Sequence, residues 1–418
     1  FRGYGLGNCS ILSCEPYKEL VVRGGKAEIV ENGQLATPSG DPLEILREEI
    51  EKERVPDSSN GPFVGAAIGY IAYEAGSPRA PDPGTATLRF GFYDEAVVWD
   101  HQAGSVRCLA RTGVGREGGL DRLRRLVEVV RHTRISAESS IGAVSSNFTR
   151  SRYLERVERT RQYIAAGEIY QANLSQRFRA RFKGDGLALY RRLRAANPAP
   201  YAAYLNFEDE EILSSSPERF FFLDKGRIDT RPIKGTRPRG KTAEEEKSFM
   251  NELARSEKDR AELLMIVDLE RNDLGRICRE GTIAVENLFQ LETYASVIHQ
   301  TASISGALRT PFGAVDCIRA MFPGGSITGA PKIRAMEVID ELEGRSRGVY
   351  TGSIGYIGFD GRADFNIAIR TMRIADGELS FNVGGGIVWD SVPESEYDET
   401  LHKAKSLFDA LGVEWNGE

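Results

Sequence analysis

Residues 348–386 read GVYTGSIGYIGFDGRADFNIAIRTMRIADGELSFNVGGG. Within this stretch Gly348 to Phe359, Asp364 to Ile374 and Glu378 to Val383 each alternate apolar and polar side chains at the period of a β-strand. Strand follows strand directly, without the intervening helix of a βαβ unit, so the stretch predicts antiparallel pairing and an α+β fold.

Upstream, a helix is expected from about Arg152, where Tyr153, Val157 and Tyr163-Ile164 recur near a 3.6-residue period and Gly167 suits its end. Further strands are expected over Gln176 to Phe182, Ala202 to Phe207 and Arg219 to Leu223, and long helices over Ala243 to Leu274, Pro331 to Leu342 and Glu394 to Leu411. Residues 1–133 mix short β-rich runs (Ile11-Leu12, Glu28 to Val30, Phe63 to Tyr73, Thr87 to Trp99) with Gly and Pro turns and close on an amphipathic helix, Gly119 to His132. Residues 134–148 are Ser-rich and lose periodicity, which suits a linker. The expected organisation is therefore a lobe over 1–133, a linker over 134–148 and a catalytic domain over 149–418; 418 residues exceed what one core usually serves.

Bulk properties exclude several classes. A net charge of −6 and 28% charged residues leave no basic surplus for nucleic acid. No apolar run approaches the ~20 residues of a membrane helix, and no export signal is visible at Phe1 to Ser13. Cys9, Cys14, Cys108, Cys278 and Cys317 are odd in number and far apart, as expected of reduced cytoplasmic thiols rather than zinc ligands.

Several constellations can carry chemistry. Ala261, Leu263 to Val267 and Leu269 make their helix apolar on nearly every side, so Glu262 should point inward, where its charge needs a cation. The plainer alternative is an internal ion pair with an arginine. Glu396, Glu399 and Lys403 stand at i, i+3 and i+7 and form one stripe beside an apolar one. Carboxylates from two helices would make an oxygen site suited to Mg²⁺; the plainer alternative is a solvated surface pair. Gly384-Gly385-Gly386 and the segment Phe322 to Lys332, with Ser326 inside it, could cradle anions or be tight turns. Lys234, in Pro232-Ile233-Lys234-Gly235-Thr236, could be a nucleophile if held near cations or in a dry pocket, and an exposed lysine otherwise. Glu218 could supply a proton, or be neutralised by Arg219, and His299 is an acid/base or orienting candidate.

Taken in order, Gly167 to Ser175, Pro232 to Gly240, Asp259-Arg260-Ala261-Glu262, Gly324 to Lys332, Asp364 to Arg370, Gly384 to Gly386 and Glu394 to Lys403 resemble the motifs of the chorismate-utilising enzymes. Within that family the resemblance is strongest to the aminodeoxychorismate synthase large subunits, because anthranilate synthases carry alanine where this chain has Lys234; Tyr170 to Leu174 agrees. The resemblance implies two largely antiparallel sheets packed face to face and flanked by helices. It implies Mg²⁺ held by Glu262, Glu396 and Glu399, with the substrate held by Tyr350, Arg370, Ser326, Gly384, Gly385, Gly386 and Lys403. It further implies Lys234 adding at C2 of chorismate, Glu218 protonating the leaving C4 hydroxyl, and His299 as a third catalytic candidate. No glutaminase nucleophile is visible, so ammonia is expected from a separate glutamine amidotransferase subunit, and a separate lyase would complete 4-aminobenzoate for folate. Anthranilate synthase, isochorismate or salicylate synthase and an inactive regulatory subunit are the rival readings.

Overall fold

The structure, a computed structural model, describes residues 6–56, 63–112, 118–132, 139–294 and 297–415. Part of the expected linker, residues 134–138, lies outside them. Two large sheets and one small one organise the described residues. The larger, of 12 strands, runs from Ile233–Pro238 through Val297–Ala307, Arg227–Arg231, Arg219–Asp224 and Ala363–Asn366 to Ser353–Gly358, with Ala284–Thr293 also on Val297–Ala307. There it continues without a break into Ala66–Ile71, Ala86–Tyr93, Lys18–Arg23, Lys26–Glu31 and Gln34–Ala36 from the first part of the chain. The 8-stranded sheet centres on Gln171–Gly184 and Glu378–Ile387, flanked by Thr371–Ala375, Glu210–Ser216 and Tyr201–Asn206. The pairing is antiparallel throughout both, as the strand-after-strand pattern predicts.

Each large sheet turns one face to helices and the other to its partner sheet. Pro42–Lys52, Glu257–Gly275 and Ala314–Met321 cover the 12-stranded sheet through Leu46, Leu263, Val267 and Ile318, which pack on Phe90, Phe221 and Phe365. Arg150–Ala165, Gly186–Ala196, Lys332–Glu343 and Pro393–Leu411 cover the smaller sheet through Tyr153, Leu189, Ile339 and Leu407. Between the sheets, Tyr70, Ile354 and Val21 meet Ile212 and Ala203, and the Tyr70 hydroxyl donates to Glu210 at 2.5 Å. Among the described residues no helix is long and apolar enough to cross a membrane.

Four expectations change. The run Asp364 to Ile374 is two strands, Ala363–Asn366 in one sheet and Thr371–Ala375 in the other; the chain crosses between sheets over 367–370, with Arg370 at φ +50°. The helix expected over Ala243 to Leu274 is two, Ala243–Arg255 and Glu257–Gly275: Ser256 takes an extended conformation and its hydroxyl accepts from the Asp259 N–H at 3.2 Å, capping the second. That second helix is not apolar all round, since Leu264 is 45% exposed and burial is confined to one face. Of the linker, Ser139–Ile141 and Ser145–Ser146 pair with Gln171–Gly184, where they satisfy an otherwise open strand edge.

Candidate active site

The carbonyl-rich loop at 324–328 is where the parts meet. Asn173, on Gln171–Gly184, anchors it: its backbone N–H donates to Thr328 O at 2.7 Å and its side-chain amide to Ile327 O at 3.2 Å. Lys234 approaches from the strand Ile233–Pro238, whose pairing with Val297–Ala307 slips between Lys234 and Thr236. Such a bulge re-aims a side chain. Gly235, at φ +75°, permits it, since a Cβ there would stand 2.7 Å from Leu253 and 3.0 Å from Asp259. The Lys234 ammonium then donates to the Ser326 carbonyl at 3.0 Å.

Glu218 follows the strand Glu210–Ser216 and is 4% exposed; its Oε1 accepts from the Ile233 N–H at 3.3 Å. Burial pushes its carboxyl up, opposed by the neighbouring Ser326 and by the charges of Lys234 and Lys403. A carboxyl so placed can hold a proton and give it up beside an amine.

Two helices present the acids. Glu262 comes from Glu257–Gly275, and Glu396 and Glu399 from Pro393–Leu411, as their spacing predicts. Burial raises Glu262 and Glu396, and Glu399 raises both further by like charge. Glu399 itself is lowered, chiefly by Lys403, whose ammonium stands 2.7 Å away and also donates to Gly384 O at 3.0 Å. Lys258, absent from the sequence-derived set, sits 4.0 Å from Glu262 and 3.7 Å from Glu396. Among the described residues no three acidic or imidazole groups already stand at ligating distance of one point. The donor chemistry nevertheless fits a hard divalent cation: oxygen donors on two helices that repel one another, with an ammonium between two of them.

Gly384 to Gly386 form no turn. They lie inside the strand Glu378–Ile387, opposite Asn173, Leu174 and Ser175. Their bareness leaves room: a Cβ on Gly385 would stand 3.5 Å from carboxylate oxygens of both Glu396 and Glu399, and one on Gly386 2.7 Å from Gln171. Gln171 is fully buried and, among the described residues, neither of its amide atoms has a hydrogen-bond partner. Buried unpaired amides of this kind suit a polar ligand.

Arg370 sits at the crossover between the sheets. Burial draws its guanidinium down to about 10, one NH1 hydrogen goes to Asn197 Oδ1 at 2.6 Å, and among the described residues no carboxylate lies within ion-pair distance. A half-buried cation with no counter-ion among the described residues is a place for an anionic ligand. His299, beside Thr236 at 2.9 Å, is pushed down to about 3 by burial and by Arg370, so its ring is neutral at pH 7 and suits orientation better than proton transfer. Tyr350 is buried, with the Arg347 guanidinium 5.8 Å from its ring centre.

Lys234, Glu218, Ser326, Glu262, Glu396, Glu399, Lys403 and Gly385 are thus brought together, Arg370 and His299 lie within electrostatic reach of each other, and Tyr350 joins through Arg347. Sequence reasoning missed Lys258, Gln171, Arg347 and Glu270. Glu270 had a signal, since it shares the buried helix face with Leu263, Ile266, Val267 and Leu274.

A family model for chorismate binding enzymes matches residues 8–409. The chain is 40% identical over 414 residues to anthranilate synthase component 1 of Aquifex aeolicus, covering 92% of this chain and 82% of that one. It is 39% identical over 410 residues to aminodeoxychorismate synthase component 1 of Escherichia coli K12, covering 96% and 89%. The crystal structure of anthranilate synthase component I from Streptococcus pneumoniae superposes with a TM-score of 0.85 at 32% identity, covering 97% of this chain and 93% of that one. With that model matching almost the whole length, the chain belongs to the chorismate binding enzyme family.

Proposed function

We propose that this chain makes 4-amino-4-deoxychorismate from chorismate and ammonia, through a covalent adduct on Lys234. The observation that carries the reading is the Lys234 amine itself: it is held inside the site, against the Ser326 carbonyl and within electrostatic reach of Glu218 and Glu262. A nucleophile in the site divides the replacement of the C4 hydroxyl by ammonia into two displacements, the first shifting the ring double bonds and the second returning them.

In the first, the free amine of Lys234 adds at C2, the ring double bonds shift, and the C4 hydroxyl leaves as water with the proton of Glu218. In the second, ammonia adds at C4, the bonds shift back, and the C2–N bond to Lys234 breaks. The proton lost by the incoming nitrogen returns to Glu218, which closes the cycle. Arg370 and Tyr350 would hold the enolpyruvyl carboxylate, with Ser326, Gly384 to Gly386 and Lys403 around the remaining polar groups. Glu262, Glu396 and Glu399 would hold Mg²⁺, which supplies positive charge for the ring carboxylate when bound. His299 would keep its neighbours in register as a neutral ring. Ammonia would come from a glutamine amidotransferase subunit, consistent with relatives named as component 1, and a separate lyase would release 4-aminobenzoate. We place this chemistry in the cytoplasm.

The rival reading is anthranilate synthesis, which the near-equal identities to the two kinds of relative favour equally. Chorismate, Mg²⁺ and ammonium supplied to the chain separate the two by product: 4-aminobenzoate after lyase addition supports the proposal, and fluorescent anthranilate without lyase refutes it. Lys234→Ala should lower aminodeoxychorismate formation by about 10³-fold; an unchanged rate would eliminate the adduct.

A further inference from the structure

Arg347 follows the helix Lys332–Glu343, and the chemistry proposed above gives it no part beyond its place beside Tyr350. Its side chain is 1% exposed and all five of its N–H groups are engaged. Nε donates to Glu343 Oε2 at 2.9 Å; the two NH2 hydrogens go to Glu343 Oε1 at 2.6 Å and Asn173 O at 2.5 Å; those of NH1 go to Ile327 O at 3.2 Å and Thr351 Oγ1 at 3.3 Å. Glu343 Oε1 also accepts from the N–H and hydroxyl of Ser175 at 2.8 and 2.9 Å. From the first part of the chain, Glu74 accepts from the backbone N–H groups of Arg347 and Gly348 at 2.5 and 3.0 Å.

Three of these partners border residues of the site. Ile327 is bonded to Ser326, whose carbonyl holds Lys234. Ser175 lies opposite Gly384, and Thr351 is bonded to Tyr350. Desolvating a buried ion pair is costly, and such pairs are often replaceable by apolar side chains without loss of stability. What an apolar pair cannot reproduce is a planar fork that reaches four segments at once, and neither can lysine, a point charge with three donors.

We propose that Arg347, oriented by Glu343, is a positioning residue: it fixes the Ile327 peptide, and through it the Ser326 carbonyl, so that the Lys234 amine stands at attacking distance from the substrate ring. It touches no substrate, and the proposal rests on the reading of Lys234 as the nucleophile.

The test compares the full chain with Arg347→Lys and Glu343→Gln under Mg²⁺, chorismate and ammonium, with circular dichroism to confirm folding. It records KM for chorismate, kcat, and the rate of Lys234 adduct formation by mass spectrometry after rapid quench. A misplacement of about 1 Å costs on the order of 10²-fold in rate, so Arg347→Lys should lower kcat and adduct formation about 100-fold while KM stays within about threefold. Glu343→Gln, which retains a neutral acceptor for the fork, should lower both rates about tenfold. A folded Arg347→Lys with wild-type adduct formation overturns the proposal, as does a raised KM with kcat intact. If Arg347→Lys does not fold, Glu343→Gln decides, and wild-type rates in it overturn the proposal. Wild-type turnover with no Lys234 adduct removes the underlying nucleophile reading instead, and is told apart by being seen before any substitution.

Discussion

Glu262 and Glu270 stand two turns apart on the helix Glu257–Gly275, yet they are opposite kinds of acid. Glu262 opens toward the site with Lys258 and Lys234 near it, and their charges oppose the upward push of burial. Glu270 is closed in, and burial with the like charges of Glu218 and Asp273 raises it to about 8, against Thr230 and a more distant Lys332. Its hydrogen bond carries the same message. The Thr230 hydroxyl stands 2.7 Å from Phe220 O and 2.9 Å from Glu270 Oε2, and its single proton can serve only one of these two acceptors fully. One helix thus holds an acid faced by two ammonium groups and an acid faced chiefly by like charges, and the difference lies in the cations nearby rather than in depth alone.

The comparison can be broken in three ways. Glu262→Gln removes one of the carboxylates proposed to hold Mg²⁺, and kcat/KM for chorismate should fall by about 10²-fold or more, with weaker Mn²⁺ binding measured by electron paramagnetic resonance. Retained activity would show that Glu262 is no more functional than Glu270. Glu270→Gln should do the reverse and stabilise the fold, since the amide oxygen can still accept from Thr230 and carries no charge to bury. The sign follows from linkage: an acid raised in the folded state gives its full contribution below its unfolded value near 4.3 and loses it as pH rises to about 8. The variant's advantage should therefore grow across that window and be on the order of 3 kcal/mol at pH 7, read by urea denaturation at several pH values. A pH-independent difference would show that Glu270 is not a neutral buried acid. The smallest effect is expected at Lys258, whose side chain is 49% exposed. Lys258→Met should tighten Mn²⁺ binding by about fivefold by removing a competing cation, while stability moves by less than about 0.5 kcal/mol.

What could be read from the amino-acid order was what depends on local periodicity or short spacing. Strand after strand over 348–383 announced antiparallel sheets, and Glu396, Glu399 and Lys403 announced one helix face. Features that depend on partners distant in the chain stayed hidden. The sheet crossover at 367–370 occurs inside an alternating run because both strands it joins are buried, so their composition does not change as the chain leaves one sheet for the other. Arg347 and Glu343 are spaced i,i+4, which marks nothing in the sequence; only their contacts with Asn173, Ile327 and Ser175 make them internal. The break at Ser256 was announced by a serine three residues before Asp259, but helix-forming residues on both sides concealed it.

The seam between Ala66–Ile71 and Ser353–Gly358 bears on how the chain is born. The early strands must wait for most of the polypeptide to be synthesised before their neighbour exists, and pairing across so long a separation is slow. Until then one long side of Ala66–Ile71 lies open to any strand that passes, including the same segment of a second nascent chain. A fragment cut within 134–148 would keep that condition permanently, each half carrying an unpaired rim through what should be the middle of a sheet.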